Sequence, residues 1–473
     1  MKKFILLMLV FATMITTAAC GQTQTPPATF DTTQDGNSAT PSVNSPEQTA
    51  DAEQSALLSS MTPAAFSPYD VPAHVTGEYP FDALTVSFNA DVTVPEATSY
   101  PVVKMQRRTM TNDEIFAIVE LLADTTNGIY GKWDAPKSQW QTWIDEVEQY
   151  KDEPWMNSSY LDSLKEYYNA AEEEVVREPI NPALIVQGAA EQIFYVPSQE
   201  GAMADKFHIF EDGFIYSTNT VSAGLNGLQT NIIRERDVGE FRANFETREQ
   251  YLWSSPGEPE IPQEKAYAQA VQLLNDMGFG DLTVSYAEPC CFLDNYVNKT
   301  TGWAFTFTRD VAGLSVHEEK IQDSSFISND VIPAYFAPWS AERVLISIAK
   351  DGVRGITVRG ISNISGTVIE SVQLVPFETM QERIAETLNQ MYAAQLRTEN
   401  SSVKGEIEVT SALLGVSLIA DNGHTDEGYY VPSWIVNYSL TMTGGDYSGQ
   451  IIFDAAGGNY IEPRMTCLLY TSP

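Results

Sequence analysis

Groups able to do chemistry are spread thinly along this chain. Its four histidines, His74, His208, His317 and His424, stand far apart and share no metal-ligand spacing. His317-Glu318-Glu319 lacks the second histidine that a zinc-binding helix places one turn away. His208 alternates with apolar neighbours and reads as structural. Asp421 to Glu427 is rich in oxygen but departs from calcium-loop spacing, so a solvated hairpin loop is expected there. Glu172-Glu173-Glu174 reads as the exposed exit of a helix. No Gly-x-Ser-x-Gly elbow, phosphate loop or dinucleotide fingerprint occurs. The 63 acidic residues leave room for paired carboxylates, but no pair stands out. The expectation is therefore no catalytic residue, no metal and no cofactor.

The adjacent Cys290 and Cys291 leave two forms open. Consecutive residues on a trans peptide lie ~3.8 Å apart at Cα, short of the roughly 4.4–6.8 Å usual for disulfides. One form is a pair of thiols, at least one of them buried. The other is a vicinal disulfide making a stiff, ligand-facing turn. A Cys-x-x-Cys redox site or a zinc cluster is not available.

Aromatic residues offer binding rather than catalysis. Trp133, Trp140, Trp143 and Trp155, half of the chain's eight tryptophans, lie between Tyr130 and Tyr168 with Tyr150, Tyr160 and Tyr167. Trp140, Trp143, Ile144 and Val147 recur at helical spacing, as do Tyr160, Leu161, Leu164, Tyr167 and Tyr168, and such stripes are usually core. Trp133 and Trp155 instead sit in loop-like Gly-Lys-Trp-Asp and Glu-Pro-Trp-Met contexts. Exposed indoles on loops stack on sugars or anchor peptides. Trp133, Trp155, Tyr130 and Tyr150 are the candidate ligand-binding face.

The start of the chain is an address. Lys2 and Lys3 precede an apolar run from Phe4 to Val10, then small residues ending in Thr17-Ala18-Ala19-Cys20-Gly21. This pattern is a secretory signal, too short to span a bilayer. It resembles a bacterial lipoprotein signal, which implies diacylation of the Cys20 sulfur; Thr17 stands where that pattern usually has leucine. An ordinary cleaved signal with an incidental cysteine is the other form. Between Lys3 and Lys104 there is no Lys or Arg, so a polybasic clamp is excluded and membrane retention falls to the lipid. The formal charge of −36 repels nucleic acid and anionic headgroups. The expected partners are the membrane, through the Cys20 lipid, and an envelope protein, peptide or glycan.

Composition and periodicity then divide the chain. Residues 1–20 are the signal, and 21–75, rich in Thr, Ser, Pro, Gln and Ala, read as a disordered tether. An α+β block is expected over 76–255. Leu84 to Phe88 and Val92 to Val94 alternate as strands do, and Thr111 with Glu114 forms a capping box. Phe207 to Phe210 and Phe214 to Tyr216 flank an Asp-Gly turn. A second block, 256–375, opens with a helix after Pro262 and continues with strands near 282–286, 303–308, 343–349, 353–359 and 368–375. A third, 376–466, repeats helix then meander, with Thr379 and Glu382 as a capping box and strands near 406–419, 430–442 and 450–454. Runs of helices and strands without strict alternation argue for α+β with antiparallel sheets. The last seven residues, Cys467 to Pro473, resemble the translation of a transposon-end sequencing adapter and are expected not to be native.

Tyr430-Val431-Pro432-Ser433-Trp434, followed by Gln450 to Ala455 and Gly457, resembles the end of PepSY-type and YycH/YycI-type extracytoplasmic domains. The resemblance covers roughly 257–463 and is best over the last ninety residues. It implies a helix packed across an antiparallel sheet, and a regulatory or inhibitory role without catalytic residues. The block before it resembles lipoproteins of Firmicutes that carry no assigned chemistry. Together these readings point to a tethered extracytoplasmic protein acting by contact, as sensor, regulator or inhibitor, rather than an enzyme. The alternative is a lipoprotein that captures glycan or peptide on its aromatic segment. A buried aromatic segment and a strand edge free for pairing favour the first, and a groove floored by Trp133 or Trp155 the second. Replacing the lipid-bearing residue, Cys20→Ala, should release the protein from sedimented membranes without changing its circular dichroism. Continued sedimentation would refute the anchor.

Overall fold

Inward-pointing apolar residues at every second position set up the first sheet. The computed structural model describes residues 61–130, 135–152, 158–177, 179, 192–197, 204–210, 212–220, 233–234, 257–294, 298–317, 335–337, 339–398, 405–420, 426–442 and 445–462. Strand β1 (His74–Pro80) pairs antiparallel with β2 (Leu84–Thr93). In β2 the buried set Leu84, Val86, Phe88, Ala90 and Val92 runs unbroken, so the two expected short strands are one. After β3 (Val102–Arg107) come three helices, α1 (Asn112–Leu122), α2 (Lys137–Glu148) and α3 (Ser158–Ala170). The Thr111 hydroxyl accepts the Glu114 N–H while the Glu114 carboxylate accepts the Thr111 N–H, which is the expected capping box. Trp140, Trp143, Ile144 and Val147 of α2 meet Leu164 of α3 in a small core of their own.

The second sheet begins with β4 (Gln192–Pro197), β5 (Ala204–Phe210), β6 (Gly213–Thr220) and β7 (Ile233–Arg234). Helix α4 (Gln263–Asp276) follows Pro262, and Gly278, at φ +85°, turns the chain out of it. Then come β8 (Thr283–Asp294), β9 (Asn298–Thr308), β10 (Asp310–Val311), β11 (Leu314–Ser315), β12 (Tyr335–Phe336), β13 (Arg343–Ala349), β14 (Gly352–Arg359) and β15 (Ser362–Ile369). Helix α5 (Phe377–Thr398) leads into β16 (Gly405–Ala420), β17 (Glu427–Met442), β18 (Gly445–Asp454) and β19 (Tyr460–Glu462).

Among the described residues the strands form two large sheets and one small ladder, β10 with β11. The first sheet runs β1-β2-β16-β17-β18-β19-β12, and β3 joins it on β17 with β15 beyond. Pairings are antiparallel except β2 with β16 and β12 with β19. One edge of β17 is shared: Ser433 to Met442 pair with β18, and Glu427 to Tyr430 pair with β3. The second sheet runs β4-β5-β6-β14-β13-β9-β8-β7. Helix α5 lays Phe377, Met380, Ile384, Leu388 and Met391 into the core of the first sheet. Helices α1 and α4 do the same for the second through Ile118, Val119, Ala266, Ala270 and Leu274. The fold is mixed α+β.

Several expectations shift. Residues 61–75 are part of the body rather than tether: the Tyr69 hydroxyl donates to the Val375 carbonyl at 2.7 Å, and the Tyr69 ring packs 5.6 Å from Trp434. Strands expected in one block over 76–255 divide between the sheets, β1 to β3 entering the first and β4 to β6 the second. The strand expected over 368–375 lies at Ser362–Ile369. Thr379 does not cap α5, which starts at Phe377 because that ring anchors on Trp434 with centroids 4.8 Å apart. The expected hairpin of β5 and β6 is present, but Gly213 is the first residue of β6, paired to Phe210, rather than part of the turn. Gly213 has φ +154°, and a Cβ there would collide with the Val358 carbonyl. Gly213→Ala should therefore lower stability by about 1–3 kcal/mol in urea titration, because the obstacle is backbone.

Candidate functional site

One group of charged side chains is tied together where the second sheet meets β15. Arg309, just past β9, donates through Nε to Glu342 Oε2 at 2.7 Å and through Nη1 to Asp281 Oδ2 at 2.8 Å. Its Nη2 donates to the Ser362 carbonyl at 3.3 Å. The second oxygen of Glu342 accepts the Ser362 N–H at 3.2 Å. Glu342 thus holds Arg309 of the second sheet and the first residue of β15 in the first. Burial pushes the Glu342 carboxyl above the usual glutamate range, against the pull of Arg309. Burial, then the nearby Glu342 charge, also raises the Tyr430 phenol.

Other polar groups are similarly engaged. Asp454 closes the turn after β18: its carboxylate accepts N–H groups from Gly457 and from Asn459, the latter at 2.8 Å. Arg383 of α5 donates to the Gly457 carbonyl, fastening the helix to that turn. The Tyr216 hydroxyl donates to Asp205 at 2.7 Å within the β5–β6 hairpin. His317 Nε2 lies 2.8 Å from Gln450 Oε1, and Gln450 donates to Asn437, which donates to Ser411. These groups build a polar frame between strands.

The residues expected at a ligand face are placed unevenly. Tyr130 is buried, 8% exposed, and its backbone pairs with Tyr195. Arg177 Nε donates to its hydroxyl at 3.1 Å. Tyr130 clusters with Tyr195 and Ala204, separately from Trp140 and Trp143. Tyr150 is half-buried just after α2. Trp133 and Trp155 lie outside the described residues, as do Cys20, His424 and most of the 421–427 loop. Cys290 and Cys291 are buried thiols on β8, opposite Gly302 and Thr301. Successive strand side chains point to opposite faces, and the regular strand replaces the turn that a vicinal disulfide would form.

The surface that sequence reasoning missed is β15. It pairs with β3 from Ser362↔Arg107 to Ile369↔Val102, and among the described residues no strand lies on its other side. Asn363 to Val368 are all exposed, Ile364 at 48% and Val368 at 42%. The signal was available in the sequence: eight residues from Ser362 to Ile369 hold β-branched side chains and no charge or proline.

No protein-family model matches the sequence, and comparison with curated proteins gives no match. Among solved structures, the chain is similar to an uncharacterized protein from Eubacterium rectale, with TM-score 0.46 and 12% identity over 83% of this chain and 94% of that one. It is also similar to the YpeB C-terminal domain of Bacillus megaterium, with TM-score 0.20 and 12% identity over 59% of this chain and 90% of the other. At such scores neither likeness carries an argument about function.

Removing one member of a buried pair leaves an uncompensated charge, so Arg309→Met should cost about 3–5 kcal/mol at neutral pH. The double variant with Glu342→Leu should recover most of that loss. In Arg309→Met the folded-state proton affinity of Glu342 climbs further above that of the unfolded chain. The defect should accordingly be smallest below pH 4.5, the ordinary value, and grow as pH rises through the elevated folded value. Urea titrations of the three proteins across that range measure both effects.

Proposed function

We propose that this chain is a lipid-anchored protein of the extracytoplasmic face that acts by contact, as a sensor, regulator or inhibitor at the cell envelope. In this reading Cys20 carries the lipid and residues 21–60 supply the tether. The reading extends to a PepSY-like architecture in which helix then meander occurs twice, α4 before β8 and β9, and α5 before β16 to β18.

The observation that carries the proposal is the outer edge of β15, along which no strand pairs among the described residues and where Ile364 and Val368 are exposed. Burial of Tyr130, Trp140 and Trp143 weighs the same way, because it turns these rings into core rather than a sugar-stacking floor. The engagement of Glu342, Asp454 and Asp205 by their neighbours supports structural roles for these carboxylates. The test is to incubate the purified full chain with chromogenic hydrolase substrates and wall glycans. The expected outcome is neither turnover nor saturable glycan binding. Turnover abolished by a single Asp, Glu or His substitution would overturn the proposal.

A further inference from the structure

We propose that the outer edge of β15 receives an extended segment of a partner protein as an added antiparallel strand, and that this segment is β-branched where it pairs and basic at its flanks. The inference rests on the contact reading above and gives that contact a chemistry. Strand addition recognises a partner through main-chain hydrogen bonds, with alternate side chains setting specificity.

The same edge already accepts a strand a few residues further on. Val372 donates its N–H to the Tyr100 carbonyl, on the side where β3 lies. Its neighbours face the other way, as strand geometry requires. The Ser371 carbonyl accepts the Ala64 N–H at 3.0 Å, and the Gln373 N–H donates to Thr62 at 2.9 Å. Pro63 thus stands antiparallel to Val372 on the outer side. This covering segment does not continue along β15. Phe66 turns onto the Tyr100 ring, 5.2 Å away, and Pro68 has no N–H to offer a ladder. The outer side is therefore occupied at 371–373 and open at 362–369 among the described residues.

The rims formed by β1, β12 and β4 carry the usual protections. Strand β1 holds His74, Glu78 and Pro80, and β12 is only two residues long. Strand β4 ends in Pro197, and its Tyr195 is bridged to Tyr130. Charges, prolines, shortness and covering segments are how edges are kept from unwanted pairing. Strand β15 holds no charge or proline, and among the described residues no segment covers it along 362–369. Its two register irregularities, after Ile364 and after Thr367, twist the edge and so discourage flat stacking with an unfitted strand.

Charge decides the occupant. A second copy carries the same overall charge of −36 and would set a second exposed Glu370 near the first, so two copies repel. A segment flanked by Lys or Arg is instead drawn in by that field.

The probe is a synthetic ten-residue peptide of alternating Val and Thr with Lys at both ends, paired with a twin methylated on alternate backbone nitrogens. Fluorescence anisotropy would be read against the full chain carrying Cys20→Ala, which keeps it in aqueous solution. We expect saturable binding of the first peptide and at least about tenfold weaker binding of the methylated twin. Ile364→Lys and Val368→Lys, at exposed positions, should each weaken the first peptide about tenfold while leaving the urea midpoint unchanged. No saturable binding, or equal binding of the two peptides, would overturn the inference. So would unchanged binding to both variants. A dimer in sedimentation that Ile364→Lys dissolves would assign the edge to a second copy, and would equally overturn it. Each of these leaves the contact reading standing, whereas substrate turnover would sink that reading independently of any peptide result.

Discussion

Glu342 is held on two sides at once, and the relation between the two sheets depends on it. Its carboxylate takes the Arg309 guanidinium from the second sheet with one oxygen and the Ser362 backbone from the first with the other. Burying such a group is costly, and pairing offsets the cost only with good geometry. What the arrangement contributes is position. Arg309 also reaches the Ser362 carbonyl, so both backbone groups of the first residue of β15 are fixed before the strand runs out into solvent. A sliding of one sheet against the other would break both bonds to Ser362 together, whereas Arg309 and Glu342, beside the paired Thr308 and Arg343, would move as one.

From that fixed point the rest of the first sheet follows. Strand β17 is central, covered on both faces, and its residues Tyr429 to Val436 are buried without alternation. Its shared edge lets β3 depart from the sheet beside β18 and carry β15 outward. The Asp454 turn and Arg383 secure the opposite end by fastening α5 to the strand it covers. Rigid elements therefore surround an exposed strand, and a binding edge needs that support to keep its shape.

Much of the local structure was legible. Thr111 with Glu114 and the periodic faces of α2, α4 and α5 are short-range patterns whose physics is contained within a few residues. Trp434 opposite Phe453 could be read as core because both sit in strongly apolar strands. Misreadings arose where a distant partner decides. Thr379-x-x-Glu382 has the form of a cap, but Phe377 docks on Trp434 and draws the helix start forward. Residues 61–75 look like tether by composition, yet Tyr69 finds Tyr100 and Val375. The β15 edge was missed because the strand was placed at 368–375, past most of its length. Exposure is a property of the sheet order, which no local pattern encodes.

The parallel pairing of β2 with β16 sets the order of assembly. Ser87 and Ile407, joined by a hydrogen bond across that pair, are 320 residues apart. A chain emerging amino end first presents β2, with its buried face of Leu84, Val86 and Phe88, long before its neighbour exists. The hairpin with β1 can form early, but the other side of β2 must wait for a strand 320 residues further on. Contacts of such span make folding slow and expose apolar strands meanwhile. The second sheet has its own helices and core and can consolidate first, leaving the amino-terminal strands to be closed in by the last part of the chain to arrive.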